Sequence, residues 1–150
     1  LDIKKVGVFS NGEIIEVLDA IDDYGLDAVE LHGNETPKMC EDLSSAVEVI
    51  KVFKIAKDTV DIDALIESFD DACDYYLFEG KGRTFDWSVF KKSRIEKPFF
   101  LSGIGPGDIK KIKAFNHPDF FGIDINEQFE KDTGVKDMVS ILQFKQGLKK

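Results

Sequence analysis

One stretch of the sequence contains the unit from which we predict the fold: Phe99-Phe100-Leu101-Ser102-Gly103-Ile104-Gly105-Pro106-Gly107-Asp108. Its first three residues are apolar, which favours a short strand that is buried on both faces. Glycines and a proline follow, and they are typical of a turn that leads into a helix. The stretch therefore predicts a strand, a tight turn and a helix in succession.

The same unit recurs along the whole chain. Six apolar runs start about 21 to 26 residues apart, at 6–9, 28–31, 49–53, 75–78, 99–101 and 121–125. Amphipathic stretches separate them, and we interpret 13–24, 61–69, 108–115 and 135–148 as crossover helices. Gly25 stands where a helix C-terminus is expected, and Asp61 is suited to cap a helix N-terminus. The sequence predicts a single domain over residues 1–150, built from six βα units.

Six strands that alternate with helices fit two architectures: an open doubly wound sheet, or a (β/α)8 barrel that lacks units. Length favours the open sheet, because a complete barrel typically needs about 200 residues or more and the chain has 150. The first strand follows Leu1 within a few residues, which favours the interpretation that sequence is missing before it. Both architectures stay open on this pattern.

Composition limits the classes of partner. The net charge is −9 and the isoelectric point is near 4.7, which argues against a nucleic-acid partner because phosphate backbones bind clustered Lys and Arg. No apolar run reaches the roughly 20 residues that span a bilayer, and the N-terminus lacks a signal-peptide core. Cys40 and Cys73 have no metal-ligand spacing, so we expect them to be reduced and structural. A soluble, cytoplasmic protein without membrane partners is predicted.

The glycine-rich turn after the strand at 99–101 is a candidate phosphate site. Glycines allow backbone N–H groups to approach an anion, and the N-terminus of the following helix favours negative charge. A turn selected only for its geometry is an equally good interpretation of this pattern. The stretch is no P-loop, because Lys and Ser or Thr do not follow it.

Polar side chains also follow other strands. Asp124 and Asn126 lie two residues apart at the end of a strand, so they share one side of it and point to the edge where α/β proteins bind ligands. His32 ends another strand, in Glu30-Leu31-His32-Gly33-Asn34-Glu35, and suits acid–base chemistry. Capping of a loop by Asp124 and a structural role for His32 are the alternatives. We interpret His117, before a proline on the opposite rim, as structural.

Taken in order, these motifs resemble the phosphoribosylanthranilate isomerase family along nearly the whole chain. Residues 6–9 resemble its third strand, 26–35 its fourth, 49–53 its fifth, 80–87 the glycine-rich stretch and Phe-Asp-Trp signature after its sixth, 99–104 its seventh and 122–137 its eighth. The resemblance implies a (β/α)8 TIM barrel whose third to eighth units are in this sequence, incomplete at the N-terminus.

The family resemblance implies an Amadori rearrangement in tryptophan biosynthesis, without a metal or an organic cofactor. The enzyme would convert N-(5-phosphoribosyl)anthranilate into 1-(2-carboxyphenylamino)-1-deoxyribulose 5-phosphate by general acid and base catalysis. Glu79 lies at or near the position of the family's general acid, an Asp. The family's base, a Cys, and an Arg that binds the anthranilate carboxylate both belong to segments before Leu1. The resemblance is compatible with a monomer or a homodimer.

The resemblance also assigns binding residues in this chain. His32 and Asp124 would bind the substrate, and Ser102, Gly103, Gly105 and Asn126 would bind its phosphate. The sequence departs from the family pattern at several positions: Glu30 replaces a Gln, Glu127 replaces a Ser, one glycine follows Ser102 where the family has two, and the loop after Glu79 is short.

Two explanations fit these departures: residues absent from the sequence as given, or a shortened relative without activity. Another phosphosugar barrel enzyme, such as indole-glycerol-phosphate synthase, is a second enzymatic hypothesis, with Lys54 as the nearest candidate for its catalytic lysine. A non-catalytic phosphate-binding protein is a hypothesis of a different class. It predicts ligand binding without turnover.

Overall fold

The computed structural model of the chain describes residues 2–56, 61–80 and 86–150. Six parallel strands form one sheet: β1 (Val6–Phe9), β2 (Ala28–Leu31), β3 (Glu48–Ile55), β4 (Tyr75–Gly80), β5 (Phe99–Leu101) and β6 (Phe120–Ile123). They lie side by side in the order of the sequence. A doubly wound sheet requires the strand order to reverse at a switch point. The observed order therefore rules out the doubly wound alternative.

Helices follow most of the strands. They are α1 (Ile14–Tyr24), α2 (Pro37–Ser44), α3 (Asp63–Ile66), α4 (Ile109–Ala114) and α5 (Met138–Lys149), with short 3-10 turns at Glu67–Phe69, Trp87–Lys92, Pro106–Asp108 and Glu127–Phe129. Helix α1 ends at Gly25, which adopts the left-handed conformation at φ 57° that favours glycine. Helix α2 begins after Thr36, whose hydroxyl accepts a hydrogen bond from the Met39 N–H at 3.2 Å.

The last predicted helix was placed too early in the sequence. Residues before α5 form a small antiparallel hairpin of β7 (Glu130–Asp132) and β8 (Val135–Lys136), turned at Gly134 with φ 76°. The Asp137 carboxylate accepts hydrogen bonds from Val139 and Ser140 N–H groups, so the helix starts only after this cap. Residues 81–85 of the predicted glycine-rich motif lie outside the described residues.

The two faces of the sheet differ in what covers them. The main apolar core lies between the sheet and the helices and contains Val29, Phe53, Phe78 and Phe99. Alternate residues of the same strands face the other side, where a smaller cluster is formed by Ala28, Ile50, Val52 and Leu77. Because side chains alternate along a strand, the residues that end this second face are Glu30 in β2, Glu79 in β4 and Ser102 after β5.

The sheet curls around that second face. Strands β2 and β6 are four spacings apart, which is about 19 Å in a flat sheet. The carboxylate of Asp124, after β6, nevertheless acts on the pKa of Glu30 in β2, and Val8 of β1 lines the same cavity as Asp124. Strands β1 and β6 are not paired with each other. The architecture is an α/β fold with an open, curved, parallel sheet.

Both cysteines are buried free thiols. Burial raises the pKa of Cys40 to about 12 and that of Cys73 to about 11, so neither forms a thiolate near neutral pH. Among the described ranges, the helices are too short and too polar to span a membrane.

Candidate active site

A cavity of about 210 Å³ opens at the carboxyl ends of the strands, on the concave face of the sheet. Its lining includes all but one of the residues that the sequence assigned to the site: His32, Glu79, Ser102, Gly103, Asp124 and Asn126. Residues that follow parallel strands meet at this edge because all the strands point the same way. Glu30, Gln128 and Glu127 also line the cavity.

His32 and Glu79 are in contact in the wall of the cavity. Nε2 of His32 lies 2.9 Å from a carboxylate oxygen of Glu79, and the two side chains are 30% and 33% exposed. Nδ1 of His32 lies 3.8 Å from the Glu30 carboxylate. An imidazole between two carboxylates can hold a proton at either nitrogen, and the partial exposure leaves both groups accessible to a ligand.

Carboxylates of like charge crowd this part of the cavity. Burial raises the pKa of Glu30, and the nearby carboxylates of Asp124 and Glu79 raise it further, while His32 lowers it. Groups whose proton affinity is shifted by burial and by a specific neighbour are concentrated at functional sites. Glu30 was not among the predicted site residues, although its place two residues before His32 in a strand puts both side chains on one face.

The other end of the cavity is built by the loops after β5 and β6. The Ser102 hydroxyl donates a hydrogen bond to Asp124 at 2.8 Å, and Gln128 donates one to the Gly103 carbonyl at 2.8 Å. Gly103 has φ 77°, a conformation that favours glycine and turns the chain at the cavity wall. These bonds hold the two loops together at the end of the cavity that Gly103, Asn126 and Glu127 line.

Lys136 brings a positive charge to this end. Its ammonium donates a hydrogen bond to the Asn126 side-chain oxygen at 2.5 Å and also pairs with Glu130. The lysine projects from β8, whose two residues the sequence interpretation had taken as the start of a helix. No signal beyond the Gly-Val-Lys-Asp motif itself pointed to this lysine.

Gly105 is the predicted site residue that the structure does not bring to the cavity. Its N–H group donates to the Asp108 carboxylate at 2.8 Å, so the side chain of the following turn already takes the place of an anion. A Cβ atom at Gly105 would lie 2.1 Å from the Gln128 side-chain oxygen. The structure thus gives Gly105 a part in shaping the loop rather than in lining the cavity.

A second cavity, of about 480 Å³, adjoins the first at His32 and is lined by the loops after β1 and β2 and by the end of β3. Within it, the ammonium of Lys51 lies 3.1 Å from the Glu35 carboxylate, and both side chains are at most 4% exposed. Sequence reasoning missed this pair, although a lysine inside an apolar strand was a signal. Lys54 also lines this cavity rather than the first, and it is exposed.

His117 lies at the opposite end of the sheet. Burial lowers its pKa, its Nδ1 accepts the Asp119 N–H at 3.2 Å, and its ring packs edge-on against Phe99. Across the described ranges, no group of three or more His, Cys, Asp or Glu side chains could hold a metal ion.

Acid–base side chains beside two hydrogen-bonded loops, at the carboxyl end of parallel strands, are typical of α/β enzymes. The family model for N-(5′-phosphoribosyl)anthranilate isomerase matches residues 2–147. The chain belongs to the phosphoribosylanthranilate isomerase family, and it is an isomerase of tryptophan biosynthesis. The family and the enzyme class predicted from the motifs are confirmed.

Relatives of known name agree with this assignment. The chain is 39% identical to N-(5′-phosphoribosyl)anthranilate isomerase of Parabacteroides distasonis, an alignment that covers 96% of this chain and 68% of the relative. It is 36% identical to the enzyme of the same name from Phocaeicola vulgatus, over 97% of this chain and 74% of that one.

Solved structures of the same name have the same fold. One, phosphoribosylanthranilate isomerase in complex with reduced 1-(o-carboxyphenylamino)-1-deoxyribulose 5-phosphate, superposes with a TM-score of 0.83 at 27% identity, over 98% of this chain and 72% of that chain. Monomers generated from the dimeric enzyme of Thermotoga maritima superpose with a TM-score of 0.81 at 27% identity, over 99% of this chain and 74% of that chain.

Proposed function

We propose that this chain performs the reaction of its family, the Amadori rearrangement of N-(5-phosphoribosyl)anthranilate, with Glu79 as the general acid. The observation that carries the proposal is the contact between His32 and Glu79, at 2.9 Å, in a cavity that also contains the loops after β5 and β6. A carboxyl group that is held by an imidazole and open to a ligand can deliver a proton to a bound substrate.

In this mechanism Glu79 donates its proton to the furanose ring oxygen. The bond between C1 and that oxygen breaks, and the nitrogen lone pair forms the C1=N double bond of a Schiff base. A base then removes the proton from C2, which leaves a neutral enaminol. Addition of a proton at C1 and loss of the proton from the C2 hydroxyl give the ketose. Atoms and charge balance because the product is an isomer of the substrate.

The general base is not one of the cysteines in this chain. Cys40 and Cys73 are buried with a raised pKa, and neither lines the cavity. The family resemblance implies a cysteine at the end of a strand that is not among these 150 residues. The chain's own described residues supply the acid and the binding groups.

We propose that the substrate phosphate binds between the loops after β5 and β6. Ser102, Gly103 and Asn126 line this end of the cavity, and Lys136, hydrogen-bonded to Asn126, provides the positive charge. The carboxylate of Asp124 holds the Ser102 hydroxyl at 2.8 Å and faces the sugar rather than the phosphate. Gly105 contributes by allowing Gln128 to tie the loops together.

We also infer that the curved sheet is an arc of a (β/α)8 barrel, namely its third to eighth units. The sequential strand order and the approach of β2 to the residue after β6 support this inference. A structure of the complete gene product tests it, with two further strands expected between β6 and β1. Edges of β1 and β6 that pair with no strand there would contradict it.

Turnover of N-(5-phosphoribosyl)anthranilate by the complete gene product tests the function. We expect the substrate to be consumed in a single isomerisation without added metal or cofactor. A folded protein that does not turn over the substrate would refute the proposal. Titration with the reduced product analogue separates the remaining possibilities, because a non-catalytic phosphate-binding protein would bind the analogue and still show no turnover.

A further inference from the structure

Lys51 is a charged residue in the middle of β3, on the face that packs against the helices. Its side chain is 4% exposed and that of its partner Glu35 is 1% exposed. A buried charge is costly unless it is paired and hydrogen-bonded. The hydrogen bonds of the two side chains identify the segment that they hold in place.

The ammonium of Lys51 uses all three of its protons. It donates to the Glu35 carboxylate at 3.1 Å, to the Leu31 carbonyl at 3.1 Å and to the Gly33 carbonyl at 2.8 Å. A lysine has three donors and no acceptor, so this set is complete. The two carbonyl groups belong to the residues directly before and directly after His32.

The Glu35 carboxylate fixes the same segment from the other side. Its second oxygen accepts hydrogen bonds from the Asn11 N–H at 2.8 Å and from the Gly33 N–H at 3.1 Å. Both polar backbone groups of Gly33 are therefore held by the ion pair. The Asn11 side chain packs against Gly33 so closely that a Cβ there would lie 2.5 Å from it.

The backbone N–H group of His32 is also held. The N–H of His32 donates to the Phe9 carbonyl in β1 at 2.8 Å. The backbone on either side of His32 cannot turn without breaking a hydrogen bond to a buried charge, which costs more than breaking a neutral one. These bonds fix the backbone position from which the imidazole reaches Glu79, with Nε2 at 2.9 Å from its carboxylate.

We propose that the buried Glu35–Lys51 pair is a positioning device that aims His32 at Glu79. Neither residue of the pair contacts the cavity that contains Glu79, so both act through His32. The inference rests on the proposed function, in which His32 and Glu79 belong to the catalytic site.

The double variant Lys51→Met/Glu35→Gln tests the proposal. It removes both charges together, so no unpaired buried charge remains. The new amide keeps an acceptor for the Asn11 and Gly33 N–H groups, while the carbonyls beside His32 lose their donor. We expect kcat of the complete gene product to fall by about 100-fold, because a displacement of about 1 Å at a catalytic group has that effect. We expect KM to change little.

A second readout is independent of turnover. The sequence has two histidines, His32 and His117, so their imidazole ¹⁵N resonances are easily distinguished. In the double variant, we expect the resonances of His32 to move and those of His117, at the other end of the sheet, to stay. A role of the pair in folding alone would leave both sets unchanged in the folded protein.

The chain offers a matched control on the same strand. Lys4 and Glu48, the first residue of β3, form an ion pair at 2.6 Å that is exposed and lies at the opposite end of the sheet. We expect Lys4→Met/Glu48→Gln to keep both kcat and the His32 resonances.

A folded Lys51→Met/Glu35→Gln protein with unchanged kcat and unchanged His32 resonances overturns the inference. If that variant does not fold, Glu35→Gln alone decides: a smaller fall in kcat with shifted His32 resonances supports the inference, and no change in either overturns it. An inactive parent protein would instead refute the proposed function, and the resonances would still test the anchoring of His32.

Discussion

Two groups of charges meet at His32, and they are organised in opposite ways. On the helix side of the sheet, Lys51 and Glu35 are nearly inaccessible and every donor of the ammonium has an acceptor. On the concave side, Glu30, Glu79 and Asp124 are carboxylates of one sign with a single imidazole among them. The first group is complete without a ligand.

No lysine or arginine is among the described residues that line the cavity on this concave side, and Glu127 is a further carboxylate residue of its wall. Clusters of like charge are unfavourable for folding, and proteins usually retain them at functional sites. The comparison shows that the partners of a buried charged residue indicate whether the residue has a structural or a functional role. A satisfied ion pair is typical of a scaffold, and an excess of carboxylates beside a partly exposed imidazole supports the proposed site of proton transfer.

The largest effect on stability should come from breaking the satisfied pair. We expect Lys51→Met to lower the free energy of unfolding by about 3–5 kcal/mol, because it leaves the Glu35 charge buried without its partner. Urea denaturation measures this change. Lys4→Met, which breaks an exposed ion pair at the other end of the sheet, is the control and should have no measurable effect. Equal losses in the two variants would remove the contrast between the two groups.

A smaller effect on the free energy of unfolding should follow when a single glutamate of either group is neutralised. The effect should have opposite signs in the two groups. Hydrogen bonds from Asn11 and Lys51 lower the pKa of Glu35 despite its burial. The stability that its charge adds is present above the ordinary pKa of 4.5 and is lost as the pH falls through the folded pKa. Glu35→Gln should therefore destabilise the protein at pH 7, by about 1.5–3 kcal/mol.

Glu30 should behave in the opposite way. Burial and the Asp124 carboxylate raise its pKa, so its charge costs stability at neutral pH and the cost disappears as the pH falls below the ordinary value of 4.5. We expect Glu30→Gln to stabilise the protein at pH 7 and to have little effect at pH 3. Thermal unfolding of both variants at the two pH values checks the signs, and two shifts of the same sign would contradict the comparison.

The smallest effect concerns the end of the cavity that we propose binds the phosphate. A methyl group at Gly105 would displace the Gln128 side chain and break its hydrogen bond to Gly103. We expect Gly105→Ala to raise KM by up to about 10-fold, the equivalent of one net hydrogen bond, and to leave kcat nearly unchanged. Steady-state kinetics measures both, with Gly107→Ala as the control, since no atom lies within 4 Å of a Cβ at that position. A fall in kcat with an unchanged KM would contradict a role of Gln128 in substrate binding.

The sequence predicted the sheet and most of the residues that line the candidate site for a physical reason. Apolar runs mark strands that are buried on both faces, and the carboxyl ends of parallel strands share one edge, so His32, Glu79, Ser102 and Asp124 had to come together. Periodicity also places Glu30 beside His32. The family motifs added the chemistry, which strand patterns alone do not contain.

The rest depends on contacts that no local pattern encodes. Glu35 and Lys51 lie 16 residues apart, and only the fold shows that the ammonium reaches the carbonyls beside His32. The hairpin at 130–136 was missed because its strands are short and polar. Gly105 stood in a motif typical of anion binding, and its N–H group was satisfied instead by Asp108, three residues ahead.

The most direct test of the central claim compares two substitutions at Glu79 in the complete gene product. If Glu79 donates the proton, Glu79→Gln should lower kcat by about 10²–10⁴-fold, while Glu79→Asp, which keeps a carboxyl group, should retain much more activity. Circular dichroism confirms the fold of each variant, and Glu96→Gln, at an exposed position before β5, is the control. A Glu79→Gln enzyme with the kcat of the parent would contradict the account.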